Sequence, residues 1–102
     1  MTEQTLARLE KIAALGIRIL PLPEITTHVV FERDGCAVLV ERHGEALGAA
    51  GGPGVLTGSG FAALVERGGE PWLIGKHEQR RATVAEAQSA RLLFRDLQSI
   101  LS

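Results

Sequence analysis

Between residues 26 and 43 the chain alternates apolar and polar positions around an Asp-Gly pair: TTHVVFER, then Asp34-Gly35, then CAVLVERH. That pattern predicts a β-hairpin. Asp-Gly supplies the two positive φ angles of a type I′ turn. A two-residue turn sets Phe31 opposite Val38 and Val29 opposite Val40 on one face. On the other face it pairs Glu32 with Ala37, Val30 with Leu39, and His28 with Glu41. The stretch GFAALVER, Gly68-Gly69, EPWLIGKH predicts a second hairpin, pairing Val65 with Trp72, Ala63 with Ile74, and Leu64 with Leu73. Pro71 has no N–H to give a ladder, which assigns the last strand to a sheet edge.

Two segments follow a helical period instead. Residues 2–15 carry Leu6, Leu9, Ile12 and Ala13 on one face, with Thr2 as N-cap and Gly16 after the last turn. Residues 83–101 open with a T-x-x-E capping box, Thr83 and Glu86, and carry a stripe of Ala87, Ala90, Leu93, Phe94, Leu97 and Leu101. Between the first helix and the first hairpin, Pro21 and Pro23 make 17–24 a connector or a short edge strand. Residues 44–60 hold most of the chain's glycines and read as a loop, shortened if Val55-Leu56-Thr57 forms a strand.

The expected fold is α+β: an N-terminal helix, a four-stranded antiparallel sheet from two hairpins, and a C-terminal helix, in one domain over 1–102. Both sheet faces are apolar near the middle. If both helices cover one face, the other needs a cover of its own; it is expected to hold Val30, Ala37, Leu39, Ala62, Leu64 and Leu73. A two-fold homodimer is the simplest provider.

AVLVERHGE at 37–45 returns as AALVERGGE at 62–70. The first copy is expected to close a hairpin and the second to open one, so the repeat is out of phase with the structure. Two interior strands built to one recipe explain it without duplication: small and branched apolar residues, then charges at the water's edge, then Gly.

Composition narrows the function classes. Hydrophobic residues at 45% against 23% charged describe a globular chain rather than a disordered one. A net charge of −1 provides no field to gather nucleic acid or an anionic membrane. Cys36 is the single cysteine, so neither an internal disulfide nor a thiolate metal cage is available. The N-terminus has no signal-peptide pattern and no apolar stretch reaches spanning length, so a cytoplasmic location is expected.

The polar candidates are few. His28, Glu41, His43 and His77 are the groups a ligand or partner site would use, yet no spacing among them is a metal motif. Cys36 follows the Asp-Gly turn opposite Arg33, a cation that lowers a thiol pKa; with no histidine at that end of the hairpin it reads as a small apolar filler. GAAGGPG lacks the Gly-Lys-Ser/Thr of a phosphate loop. Lys76, Arg80, Arg81, Arg91 and Arg95 make a modest basic patch around the start of the last helix. The helix–sheet–helix order is similar in outline to double-stranded RNA-binding domains, but their lysine cluster is missing and Glu78 and Glu86 dilute the charge. Phe31, Phe61, Phe94 and Trp72 all fall at apolar-face positions, which leaves no stacking platform.

These readings favour a non-enzymatic module working by association with itself or another protein, with no cofactor and no metal. The alternatives are a small-molecule or enzymatic site under the glycine-rich loop, using His43 and His77, and weak RNA binding through the basic patch.

Overall fold

The first helix begins where its cap allows. Thr2 Oγ1 accepts the Thr5 N–H at 3.1 Å, and the helix runs over Glu3–Ala14 (α1). Thr5 and Ile12 are buried and Leu9 is half-buried, whereas Leu6 and Ala13 face solvent. The buried stripe is therefore rotated from the expected one, because Thr5, Leu9 and Ile12 satisfy the same i, i+4, i+7 period. The last helix is Val84–Leu101 (α2), and its capping box forms as expected. Glu86 N–H donates to Thr83 Oγ1 at 3.1 Å and Thr83 N–H to Glu86 Oε1 at 2.9 Å. The computed structural model describes residues 2–23, 25–58 and 60–101.

Between the helices the described residues form seven strands, not four. They are β1 (Arg18–Leu20), β2 (His28–Arg33), β3 (Cys36–His43), β4 (Ala46–Thr57), β5 (Gly60–Arg67), β6 (Glu70–Ile74) and β7 (Gln79–Arg81). All pair antiparallel, in an open sheet whose spatial order is the chain order. Both expected hairpins are present with their pairings: Phe31 faces Val38, His28 faces Glu41, and Val65 faces Trp72. At the first turn Asp34 and Gly35 have φ of 56° and 80°. Glu32 Oε2 accepts the Gly35 N–H at 3.0 Å.

Three strands correct the four-stranded expectation. The segment at 18–20 is the edge strand β1, the second of the two readings given for 17–24. The expected loop 44–60 is mostly β4, a twelve-residue strand. Its Gly, Ala and Pro content argues against a strand by propensity, but the turn at 44–45 returns the chain along β3, and two register shifts absorb the mismatch. Some of its glycines serve close packing: a Cβ on Gly48 would lie 2.5 Å from the His43 ring. The third is β7, which removes β6 from the edge. Pro71 is tolerated because it sits at the end of the β6–β7 ladder, where only its carbonyl is used: it accepts the Ala82 N–H at 3.0 Å, and no N–H is asked of it.

The extra strand between the hairpins also decides the faces. Val55 pairs with both Cys36 and Ala62. Ala62, Leu64 and Leu73 therefore share the face of Phe31, Cys36 and Val38, not that of Val30, Ala37 and Leu39. The helices cover this first face. Ile12, Ile17, Phe31, Cys36, Val38, Val40, Val55, Ala62, Leu73, Ala90, Leu93 and Leu97 make one buried cluster. Arg33 braces it from the rim, donating to the Leu15 carbonyl at 3.2 Å and pairing with Asp96 at 3.0 Å.

The repeat looks different in this frame. Both copies occupy the first strand of a hairpin, since the chain after Glu45 is strand and not loop; the expected phase mismatch is corrected. The turns, however, are offset by one residue, at 44–45 and 68–69. With a side-chain period of two, one residue inverts the faces: Val40 is buried under the helices, while its counterpart Val65 is 38% exposed on the opposite face. The inversion fits a shared strand recipe better than a copied unit.

Candidate functional site

Alternation along β5 and β6 turns Phe61, Ala63, Val65, Trp72 and Ile74 away from the helices, beside Leu56 of β4, Val30 of β2 and Leu39 of β3. None of these eight residues belongs to the buried cluster under the helices. They form a second apolar face. It is partly self-covered: the Phe61 ring lies over Gly54, so close that a Cβ there would meet it at 2.4 Å, and Ala37, cross-strand from Gly54, is fully buried. At the β1 end an apolar groove of about 390 Å³ runs between Leu20, Leu22 and Ile25 on one side and Leu39, Leu56 and Phe61 on the other.

Charges rim this face, and two pairs of them close within the chain. Glu32 is buried beside Arg18, and the Arg18 guanidinium and the Gly35 N–H hold its carboxyl below the usual range. Arg81 pairs with Glu70 at 2.8 Å. The guanidinium carbons of Arg67 and Arg81 lie 5.2 and 6.0 Å from the centre of the Trp72 ring, within cation–π range. Trp72, expected at an apolar-face position, is half-buried there. Trp72→Ala is therefore expected to cost about 1–2 kcal/mol in a urea melt, below the ~3–5 of a fully buried tryptophan.

The polar candidates separate. Strand direction puts His28, Glu41 and His43 at one end of the sheet and His77, in the turn after β6, at the other. His28 Nδ1 bonds Thr27 Oγ1 at 2.8 Å, and His43 Nε2 lies 3.1 Å from Glu41 Oε2. No group of three His, Cys, Asp or Glu able to hold a metal occurs among the described residues. The glycine-rich segment, being strand, does not form a lid over His43. Cys36 is buried, its Sγ 4.0 Å from the Glu86 carbonyl. Burial first, then Asp34, Glu86 and Glu32, pushes its pKa up against the smaller effect of Arg33. That is the opposite of an activated thiol.

The arginines of the basic patch are paired with carboxylates, and the patch is divided. Arg80 makes 2.9 and 2.7 Å bonds to the two Glu86 oxygens on the helix side, while Arg81, one residue on, serves the other face. Arg91 lies 3.7 Å from Glu66 and Arg95 3.3 Å from Asp96. Lys76 stands in the turn before β7. The outline shared with RNA-binding domains ends at the element order, since the sheet has seven strands.

The Arg80–Glu86–Thr83 cluster has a pH signature. The Arg80 guanidinium, and then the Thr83 N–H, hold Glu86 down to about 2 from 4.5. A depressed carboxyl contributes stability above its unfolded pKa and loses it as pH falls toward the folded one. Stability is thus expected to drop between pH 4.5 and 2, by roughly 1–2 kcal/mol from this group after solvent screening of the exposed guanidinium. Glu86→Gln should lower stability at pH 7 and flatten that slope in urea melts taken across the window.

The second face was expected, with Val30, Ala37 and Leu39 on it; what sequence reasoning missed is its β4–β6 part, Leu56, Phe61, Ala63, Val65, Trp72 and Ile74. The period-two run Phe61, Ala63, Val65 was visible, but its side of the sheet depends on how many strands precede it. Comparison with protein-family models, curated proteins and solved structures finds no match to this chain. Among the described residues no helix is long and apolar enough to cross a membrane.

Proposed function

We propose that the protein works by association, as a two-fold homodimer packed through the sheet face opposite its helices. The observation that carries this is the continuity of that face: Leu39, Leu56, Phe61, Ala63, Val65, Trp72 and Ile74 lie side by side across β3 to β6, outside the helix-covered core. The four strands β3 to β6, about 4.8 Å apart and about five residues long, present roughly 300 Å² in projection. Side-chain relief raises this to the size of a small interface, below the ~800 Å² per partner of a standard one. Edge-to-edge growth is disfavoured, since β1 and β7 are three residues long and carry Arg18, Arg80 and Arg81. Arg18–Glu32 and Arg81–Glu70 pair within the chain and Arg67 lies over Trp72, so the face is dominated by its apolar surface, and a second copy of that surface is its natural complement.

Sedimentation of the purified chain is expected to give a dimer at micromolar concentration and a monomer for Val65→Asp. Val65 is exposed, so the variant should keep its fold by circular dichroism. A wild-type monomer at that concentration refutes the proposal.

The groove beside the β4–β5 turn supports a second reading, an apolar small molecule, because its volume lies within the usual ligand range. Stabilisation by a metabolite in a thermal-shift screen, lost in Leu39→Asp but retained in Val65→Asp, would favour it.

A further inference from the structure

The β4–β5 ladder pairs only Gly54–Thr57 with Gly60–Ala63. Residues 46–53 of β4 are bonded to β3 along one side, and among the described residues no strand pairs with their other side. A strand bonded on one side alone presents its remaining N–H and C=O groups outward. Here they are presented inside the sheet, where β4 and β5 part.

This edge differs from the two ends of the sheet. β1 and β7 are three residues long and carry arginine, whereas no charged residue occurs between Ala46 and Thr57. It also opens onto a trough of about 460 Å³, lined by Leu47 to Ala50 of β4, by Gln98 and Leu101 of α2, and by Arg8 of α1. Strand edge on one wall and helix on the other is the arrangement that receives an extended peptide by strand addition. Arg8 is the trough's single charged residue, is half-buried, and makes no ion pair or hydrogen bond among the described residues.

We propose that the β4 edge between Ala46 and Pro53 takes an extended peptide from another protein as an added strand, with the peptide's C-terminal carboxylate at Arg8. Backbone bonds to β4 hold the peptide. Alternate side chains reach the hollow between Leu47 and Leu101, and the terminal carboxylate neutralises the unpaired guanidinium. A second copy of this chain fits less well. Its own sheet ends are only three residues long and would bring Arg18 or Arg80-Arg81 toward Arg8, and pairing two β4 edges would leave both Arg8 side chains without an anion.

The test uses a displayed library of random hexapeptides with free C-termini, selected on the full chain. Binders are expected to be rich in β-branched residues. Capping the carboxylate as an amide, or Arg8→Ala in the protein, should each weaken binding about tenfold, corresponding to ~1.4 kcal/mol. N-methylation of the peptide should abolish binding at alternate amides and be harmless at those between, a period that only a ladder produces. Amide resonances of 46–52 should shift on titration. A library that returns no binder overturns the proposal, as do binders indifferent to Arg8→Ala or to methylation at every amide. The outcome is independent of the dimer reading, because the trough lies on the helix side of the sheet and Val65→Asp should leave peptide binding unchanged.

Discussion

Phe31→Ala is expected to destabilise the fold by about 3–5 kcal/mol. Phe31 is fully buried, pairs with Ile19 on one side and Val38 on the other, and belongs to the cluster that includes Leu93 and Leu97 of α2. Truncation removes the transfer free energy of the ring and leaves a cavity that two ladders prevent from closing. A domain of this size has about 5–15 kcal/mol in total, so a large share of stability goes with one side chain. Urea unfolding should show a lower midpoint with an unchanged slope. Phe94, half-buried at the margin of the same cluster, is the control: Phe94→Ala should cost clearly less. Equal losses would mean that the core is not centred between β2, β3 and α2.

Gly54→Ala is the second large effect, from a single added methyl. Its Cβ would lie 2.4 Å from the Ala62 carbonyl oxygen and 2.4–2.5 Å from the Phe61 ring. The ring can swing aside, but the carbonyl belongs to the neighbouring strand, so β4 and β5 must separate. Overpacking of this kind costs about 1–3 kcal/mol, and a backbone obstacle puts it at the upper end. Gly52→Ala, two residues away with nothing within 4 Å of its Cβ, should stay within about 0.5 kcal/mol of wild type. Adding Phe61→Ala should not rescue Gly54→Ala, because the carbonyl remains; rescue would show that the ring alone was the obstacle.

Local chemistry made part of this structure legible. Asp34-Gly35 and Gly68-Gly69 fixed two turns, and each turn fixed the register of its hairpin through the period of two. Thr83 and Glu86 marked the start of the last helix. What stayed hidden is held by partners rather than by propensity. β4 is rich in Gly, Ala and Pro and is a strand because β3 lies beside it. β7 is three residues ending in two arginines, paired to β6. Missing one strand between the hairpins inverted the assignment of Ala62, Leu64 and Leu73, since face depends on the count of strands and on every register before it. The candidate surfaces suffered most. The membership of the second apolar face on β5 and β6 and the open β4 edge both emerge only once β4 is in place, whereas His28, Glu41, His43 and His77, chosen by residue type, lie at two ends of the sheet.

The strand order, which never departs from the chain order, bears on how the protein is made. Each ladder joins neighbours in sequence, so loop closure is cheap and the meander can zip up strand by strand. The helix-covered face gains from this only late. Cys36, Val38, Val55 and Leu73 wait for α2, which follows every strand in the chain. During that interval the nascent chain is a sheet apolar on both sides. A chain interrupted before residue 84 should therefore aggregate or be held by chaperones, and the speed with which α2 docks, more than the final stability, should govern how much protein survives synthesis.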